Sequence, residues 1–305
     1  MTMNKKFTAY FALVLILAFI GYMIYDASSG PEKATVTAES PDTVIADSWM
    51  VDTTFKASLG ELTSVAVSPG GVIYLGGDTF LISLDSSLHP LWTTDPGQVV
   101  TALAISGDTL FASTDQTIML FSKNGEPITE WGPYEIKSFI TSLSANSRLV
   151  AFADAGTKRV YTLKKNGELY SMAGVTDDRF IIPSPYFDVA LTEDLMYASN
   201  PGNHHLETWT LDGRKVSEFG EPGIEPASFS GCCNPAHFTL VPGGFVTAEK
   251  GLNRIKVLDG NGAFVEYVSS DNHFISSVPL DVAAVGGKIY AANKADSTLY
   301  IFSHK

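Results

Sequence analysis

The chain has 305 residues, and its 33 acidic and 20 basic side chains give a formal net charge of −13. This excess of negative charge argues against binding to nucleic acid or to anionic lipid, because both are polyanions. The only two cysteines, Cys232 and Cys233, are adjacent, which excludes a zinc motif built on two separate cysteine pairs.

An apolar N-terminal segment is the first predicted element. Residues 1–6 are polar, and residues 7–25 contain no charge and are long enough for a helix to cross a bilayer. Lys5 and Lys6 precede the segment, and positive charge on that side favours a cytoplasmic N-terminus. We therefore expect a cytoplasmic stub, a transmembrane signal-anchor at 7–25, and a domain outside the cytoplasm, in the periplasm or the extracellular space. A cleaved signal peptide is the alternative.

A tether and a large β-domain are predicted next. Residues 26–47 are rich in Ser, Thr, Ala and Pro and show no apolar period, which indicates a solvated linker. Residues 48–305 then contain six copies of an apolar strand, a turn and a second strand. Equivalent apolar positions recur 38 to 49 residues apart, which is the length of a four-stranded propeller blade. They are Val65, Leu103, Leu143, Val189, Phe238 and Val282.

Hairpins and the chain ends complete the predicted blades. The first five copies continue into a hairpin joined by turn-forming residues, in several copies Asn-Gly or Asp-Gly, which supply the positive φ of tight β-turns. The sixth copy ends after its third strand. The alternating stretch 51–58, which precedes the first copy, is free to pair as the missing outer strand. The sequence therefore predicts an all-β, six-bladed β-propeller closed by both ends of the chain, and we expect it to be monomeric.

The repeats resemble the NHL-repeat family of six-bladed β-propellers. The resemblance covers residues 60–303 and rests on an apolar strand, a glycine turn and motifs such as AFADAGTKRV in the third copy. It implies the propeller fold. It does not imply one function, because the family includes enzymes, relatives of sugar-acid lactonases and pure binding platforms.

One face of the predicted propeller collects the unusual residues. In an antiparallel blade, the first strand begins, the second ends and the inter-blade loops run on the same face, which we call the inlet face. The residues just before the six equivalent positions line its mouth, and only the last three blades place ionisable groups there: Asp188, His237 and Asp281. The loops before blades four, five and six are also long, and long loops on a rigid scaffold often carry recognition.

The vicinal cysteines lie in this sector of the inlet face. Neighbouring Cα atoms are about 3.8 Å apart, which is too close for an ordinary disulfide but allows a strained ring between adjacent residues. Such a ring would pin the turn before Pro235. Free thiols would instead suit a redox switch or a soft-metal site. Together with His237, Lys250, Asn253 and Arg254, Cys232 and Cys233 form our predicted ligand- or partner-binding set.

A metal site is a further hypothesis for the channel mouth. Asp188, His237 and Asp281, with Glu249 and Asn293 near them, could hold one divalent ion, Ca²⁺ or Zn²⁺. Alternatively, these side chains could cap backbone amides of the neighbouring blade. Residues 235–255 resemble the histidine-bearing blade of the peptide-amidating lyases, which implies zinc chemistry. However, aspartates stand at Asp188 and Asp281 where that family has histidines.

Two functions remain open at this stage. The favoured one is a membrane-tethered binding module outside the cytoplasm, whose inlet face in blades four to six receives a protein partner or a small ligand. The alternative is a metal-dependent lyase or hydrolase that uses Asp188, His237 and Asp281. Nucleic acid is not expected as a partner, and contact with the membrane is expected only through the N-terminal helix.

Overall fold

The structure is a computed structural model that describes residue 10 and residues 13–21, 45–175, 178–270, 274 and 278–305. The chain divides into two units, residues 1–44 and 45–305. In the first unit, residue 10 and residues 13–21 are helical, and the rest of the predicted anchor and most of the predicted tether lie outside the described residues. No helix in the described part of the chain is long and apolar enough to span a membrane.

The second unit is an all-β propeller of six four-stranded antiparallel sheets. The first blade contains β2 (Leu62–Val67), β3 (Ile73–Gly77), β4 (Leu81–Leu84) and β5 (Pro90–Thr94). The second contains β6 (Ala102–Ser106), β7 (Thr109–Ser113), β8 (Ile118–Ser122) and β9 (Pro127–Trp131). The third contains β10 (Ile140–Ala145), β11 (Leu149–Asp154), β12 (Arg159–Lys164) and β13 (Leu169–Ala173).

The remaining blades follow the same order, with one exchange at the end. The fourth contains β14 (Val189–Leu191), β15 (Leu195–Asn200), β16 (His205–Thr210) and β17 (Lys215–Phe219). The fifth contains β18 (His237–Val241), β19 (Gly244–Ala248), β20 (Ile255–Asp259) and β21 (Phe264–Ser269). The sixth contains β22 (Leu280–Val285), β23 (Lys288–Asn293), β24 (Thr298–His304) and, as its outer strand, β1 (Trp49–Lys56).

The predicted closure by the chain ends is confirmed. β1 pairs antiparallel with β24 from Trp49 opposite His304 to Lys56 opposite Thr298, with a register shift between Val51 and Thr53. The strand therefore begins two residues before the predicted stretch and ends two residues earlier. This pairing satisfies the outer edge of β24, which would otherwise present unpaired backbone groups.

The turns and the core explain why this sequence forms blades. Gly125 and Gly167, each the second residue of a predicted Asn-Gly turn, have φ values of 83° and 87°, a region that other residues rarely adopt. Buried apolar side chains fill the spaces between neighbouring sheets, as where Leu75 of the first blade and Leu299 of the last share one cluster. The innermost strands β2, β6, β10, β14, β18 and β22 pack around a central channel of about 190 Å³.

Candidate functional site

A chain of backbone caps runs around part of the channel mouth. The side chain of Asp188 accepts a hydrogen bond from the N–H of Phe238 at 2.6 Å, and Asp281 accepts one from the N–H of Val65 at 2.8 Å. In each case a residue just before one equivalent position caps the equivalent residue of the next blade. The carboxylates therefore join blade four to blade five and blade six to blade one.

The third blade uses the same device with a hydroxyl group. Ser142 Oγ accepts a hydrogen bond from the N–H of Val189 at 3.1 Å and donates one to Asp188 Oδ1. Asp188 Oδ1 also accepts from the N–H of Val189 at 2.8 Å. The capping interpretation of these positions is thus what the structure supports for Ser142, Asp188 and Asp281.

His237 differs from Ser142, Asp188 and Asp281, because its Nδ1 atom has no hydrogen-bond partner among the described residues. This nitrogen lies 3.6 Å from Asp188 Oδ2 and 3.8 Å from Asp281 Oδ1. Burial disfavours the charged imidazolium, but the Asp188 carboxylate, helped by Asp281, outweighs burial and raises the pKa of His237 above its usual value. His237 is therefore a mostly buried histidine that two carboxylates stabilise in its charged form.

The pKa of Asp281 is also raised, which for a carboxyl group favours the neutral form. Burial is the main cause that raises its pKa to about 6, and the nearby charge of Asp188 adds to the increase. The positive charge of His237 and the N–H groups of Val65 and Val282 act against this increase without cancelling it. Asp281, with its pKa of about 6, thus lies within 4 Å of a histidine whose pKa is also raised.

A pocket of about 720 Å³ opens above these residues on the inlet face. Its wall includes the apolar side chains of Val99, Phe139 and Val278, and His237 and Asp281 belong to its lining. Asp281 also lines the central channel, so the pocket and the channel meet at this carboxylate. The other lining residues are Thr63, Gln98, Thr101, Thr114, Asp115, Gln116, Thr117, Ile140, Thr141, Pro185, Tyr186, Pro279 and Lys294.

Most of this lining comes from blades one to three, which the sequence analysis did not select. We expected blades four to six to form the binding surface, and they contribute seven lining residues, among them His237, Asp281 and Tyr186. Blades one to three, with the loops before them, contribute the other eleven, such as Gln98 and Phe139. Such loop residues lie shortly before the innermost strands, and this position in the sequence is the signal that could have identified them as pocket residues. Much of the loop before blade six, residues 271–273 and 275–277, lies outside the described residues.

Arg254 and Asn253, which we predicted to bind a partner, are both buried, at 4% and 1% exposure. The Arg254 guanidinium pairs with Glu249 at 2.6 Å and donates to the carbonyl groups of Ile224 at 2.9 Å and Ser228 at 2.6 Å. Arg254 therefore fastens the loop before blade five to the core. The sequence indicates that Arg254 lies in a loop, but it does not show that the carbonyl groups of another loop cover its side chain.

Glu249 and Lys256 belong to the same buried cluster. Lys256 Nζ lies 2.9 Å from Glu249 Oε1 and donates to the carbonyl of Ser228 at 2.6 Å. Burial is the main cause that lowers the pKa of Lys256 to about 8, and the positive charge of Arg254 contributes, whereas Glu249 opposes the change. The cluster holds two cations against one carboxylate, so Glu249 is used internally and not beside a channel metal.

Cys232 and Cys233 sit at the edge of this loop as two free thiols, with their sulfur atoms 3.2 Å apart. Cys232 is exposed, whereas Cys233 is 2% exposed. Lys250, another predicted binding residue, is half-buried and places its Nζ 4.6 Å from the centre of the Tyr186 ring. The cysteines and Lys250 are outside the pocket lining, but Lys250 contacts the Tyr186 side of the pocket.

The metal hypothesis meets two structural obstacles. Asp188 already accepts hydrogen bonds from Ser142, Val189 and Phe238, so its oxygen atoms are committed to the propeller. Among the described residues, the His, Cys, Asp and Glu groups whose ligand atoms converge within 4.8 Å are His205, Glu207 and Glu218, not the channel set. The channel residues therefore do not fit a preformed Ca²⁺ or Zn²⁺ site.

The convergent set around His205 already has a cation. Lys215 Nζ lies 2.9 Å from Glu207 Oε1 and 2.5 Å from Glu218 Oε2, between the two carboxylates. His204 and His205 are both half-buried. His204 Nε2 contacts the carbonyl oxygen of Gly231 at 2.5 Å.

Comparison with known proteins identifies the fold but no family. No protein-family model and no curated protein match the sequence, so membership of the NHL-repeat family is not confirmed. Among solved structures, BamB from Moraxella catarrhalis is 13% identical, with a TM-score of 0.51, and the match covers 84% of this chain and 98% of that chain. The WD40 β-propeller domain of Doa1 is 12% identical, with a TM-score of 0.58, over 84% and 97% of the two chains.

A third similar structure is an enzyme. It is a virginiamycin B lyase from Staphylococcus aureus, solved with quinupristin as a catalytically inactive histidine-to-alanine variant. It is 14% identical, with a TM-score of 0.58, and the match covers 84% of this chain and all of that chain. At this identity, these likenesses show that the chain is a β-propeller and do not transfer an activity.

Proposed function

We propose that the protein is a binding module whose inlet face receives a partner, with the pocket at its centre taking the part of the partner that enters most deeply. The propeller is held outside the cytoplasm by an N-terminal anchor at 7–25, a proposal that rests on the uncharged apolar sequence and the preceding Lys5 and Lys6. The partner is a protein that docks apolar groups against the inlet loops.

The asymmetry of exposed apolar side chains carries this proposal. Large exposed aliphatic residues occur in the inlet-face loops at Leu59, Val99, Ile136, Val175, Ile181, Ile224 and Leu252. The turns of the opposite face, which join first to second and third to fourth strands, expose no large hydrophobic residue among those described. Clustered exposed apolar groups around a pocket are typical of interaction surfaces.

The similar structures are compatible with this function. BamB and the WD40 β-propeller domain of Doa1 share this fold, and neither name refers to a reaction. The net charge of −13 also disfavours nucleic acid as the partner. Binding through inlet loops requires no catalytic group, and it leaves His237 and Asp281 to accept a polar group at the base of the pocket.

Charge substitution on the inlet face tests the proposal. Ile136 is 98% exposed and Ile224 is 74% exposed, so Ile136→Asp and Ile224→Asp should fold normally and should lose the partner in a pull-down from native membranes. Ile128, on the outer strand β9, is 56% exposed and provides the matched control Ile128→Asp. Retention by both inlet variants, or loss only in the control, would place the binding surface elsewhere.

A lyase or hydrolase is the second candidate, and His237 is the observation that favours it. The side chain has an unpartnered Nδ1 atom in a pocket and lies beside Asp281, a carboxyl group with a pKa of about 6. Groups that titrate near neutral pH suit general acid–base chemistry. The metal-dependent form requires the Asp188 caps to open. Metal analysis of the purified chain tests it: stoichiometric zinc or calcium that His237→Asn abolishes would favour this candidate over the binding module.

A further inference from the structure

The vicinal cysteines are the reactive side chains that the proposed function leaves unused. Their sulfur atoms are 3.2 Å apart, and the bonded distance in a disulfide is about 2.05 Å, so an approach of roughly 1 Å would join them. No other cysteine exists in the chain. Any thiol chemistry of this protein is therefore confined to this pair.

The two thiols are not equivalent. Cys232 is exposed, and Cys233 is 2% exposed. Burial is the main cause that raises the pKa of the Cys233 thiol, and Cys232 adds to it, while the nearby Ser184 hydroxyl and the charge of Lys250 only partly offset this increase. Because the thiolate is the nucleophile in disulfide exchange, the exposed Cys232 is suited to react first and the buried Cys233 to react second.

The loop that carries the thiols is held firmly on both sides. The carboxylate of Glu249 accepts a hydrogen bond from the N–H of Ser230 at 2.9 Å. The buried side chain of Asn234 donates to the carbonyl of Lys250 at 2.8 Å and accepts from the N–H of Lys250 at 2.9 Å. The dipeptide thus lies between two anchored residues, which keeps the sulfur atoms close to each other.

The thiols are also connected to the pocket. Asn234, the neighbour of Cys233, hydrogen-bonds the backbone of Lys250, and Lys250 Nζ lies 3.5 Å from Ser184 Oγ and over the ring of Tyr186. Tyr186 and the adjacent Pro185 belong to the pocket lining. A change at Cys233 therefore reaches the segment that forms this side of the pocket through Asn234 and Lys250.

We propose that Cys232 and Cys233 are a thiol–disulfide exchange site for a small-molecule disulfide, and that closure of the pair changes the contacts of the pocket segment 184–186. The Cys232 thiolate attacks one sulfur of the reactant, which forms a mixed disulfide and releases one thiolate. Cys233 then gives up its proton and attacks the Cys232 sulfur, which releases the second thiolate. Two protein thiols are oxidised and one reactant disulfide is reduced. A small reactant suits the site because only one sulfur is exposed.

Reaction with the aromatic disulfide 5,5′-dithiobis(2-nitrobenzoate) tests the exchange step. Each full chain, reduced beforehand, should release two arylthiolates and retain none in its intact mass, because the second thiol displaces the bound aryl group. Cys233→Ser should release one and retain one. Cys232→Ser should react at least about tenfold more slowly, because burial limits access to the remaining thiol.

Two outcomes would overturn the exchange site. Wild-type protein that retains an aryl group would show that the pair does not close. A Cys232→Ser variant that reacts as fast as Cys233→Ser would show that the thiols are not ordered by exposure. The single variants leave one thiol and the loop anchors at Glu249 and Asn234 in place, and a circular dichroism melt checks that each variant is folded.

Hydrogen exchange tests the connection to the pocket. In the wild-type chain, backbone exchange of residues 184–186 should differ between the reduced and oxidised forms, and exchange of the distant strand β7 should not. The Cys233→Ser variant, treated in the same way, should show no such oxidised form. Equal exchange at 184–186 in the two forms of the wild type would overturn the connection while leaving the exchange site intact.

Discussion

Asp281 accepts a hydrogen bond at 2.8 Å from the backbone N–H of Val65, although 216 residues separate the two in the chain. The contact joins the innermost strand of the last blade to that of the first. The outer strand β1 closes the same two blades at the circumference by pairing with β24. The ring is therefore closed at both its inner and its outer radius by groups from opposite ends of the sequence.

Removal of the closing strand should destabilise the whole propeller. Deletion of residues 50–58 removes most of β1 and buried Ala57. We expect the melting temperature to fall by roughly 10 °C or more, because each kcal/mol corresponds to about 2–4 °C in a domain of this size. Deletion of residues 27–43, measured by the same calorimetric scan, is the control and should leave the value unchanged. Equal effects of the two deletions would refute the importance of closure.

Substitution of Arg254 and of Lys256, the two cations of the buried cluster, should have different effects on stability. Arg254→Ala leaves the carbonyl groups of Ile224 and Glu225 without this donor and should cost about 3–5 kcal/mol in the free energy of unfolding. Lys256→Met leaves Glu249 paired with Arg254, and it should cost less than about 1 kcal/mol or stabilise the protein. Urea denaturation of both variants checks this, and equal losses would contradict it.

Lys256 also predicts a pH dependence. Its pKa is about 8 in the folded protein against 10.5 for the free side chain, so between these values the unfolded chain binds more protons. The free energy of unfolding should therefore rise with pH through this window in the wild type. The increase should be smaller in Lys256→Met, measured by denaturant titration at each pH. Parallel curves for the two proteins would mean that Lys256 does not titrate in this range.

Asp281 predicts the opposite slope at lower pH. Its pKa is raised from 3.8 to about 6, so the folded protein binds more protons between these values, and the free energy of unfolding contributed by this group falls as pH rises. Asp281→Asn should lack this contribution while its amide oxygen still accepts from Val65. Asp115→Asn, at an exposed side chain, is the control. Thermal melts from pH 4 to 7 that show the same slope in wild type and Asp281→Asn would exclude the shift.

The proposed anchor gives a direct cellular prediction. If residues 7–25 remain in the protein and span the membrane, the full chain should stay in the membrane pellet after a wash at high pH. Replacement of residues 14–17 by charged residues should release it, because a charged side chain is costly in a bilayer core. A soluble product that begins near Ala27 would show instead that the segment is a cleaved signal peptide.

The fold could be predicted because its signals are local. The spacing from Val65 to Val282 marks six blades, and the stretch 51–58 marks the closing strand, since strand patterns and Asn-Gly turns depend on neighbouring residues. The gathering of Asp188, His237 and Asp281 followed from their equivalent positions in consecutive blades. Because the blades repeat, equivalent sequence positions become neighbouring positions in space. The proximity of these three residues could therefore be predicted without knowing the loop conformations.

The loops could not be predicted in the same way. Arg254 resembles a surface loop residue until the carbonyl groups of the loop before blade five fold over it. The pocket wall at Gln98 and Phe139 likewise depends on where several short loops converge. Nor does the sequence show that the Asp188 oxygens are used by backbone amides, because this depends on the distance between neighbouring blades.

Photo-crosslinking from two matched positions tests the central claim, that the inlet face is the binding face. Val99 lines the pocket and is 49% exposed, and Val265 on the outer strand β21 is 54% exposed. With benzoylphenylalanine at each position in turn and irradiation of native membranes, we expect a crosslinked partner from position 99 and none from position 265. A crosslinked partner from position 265 alone would contradict the account.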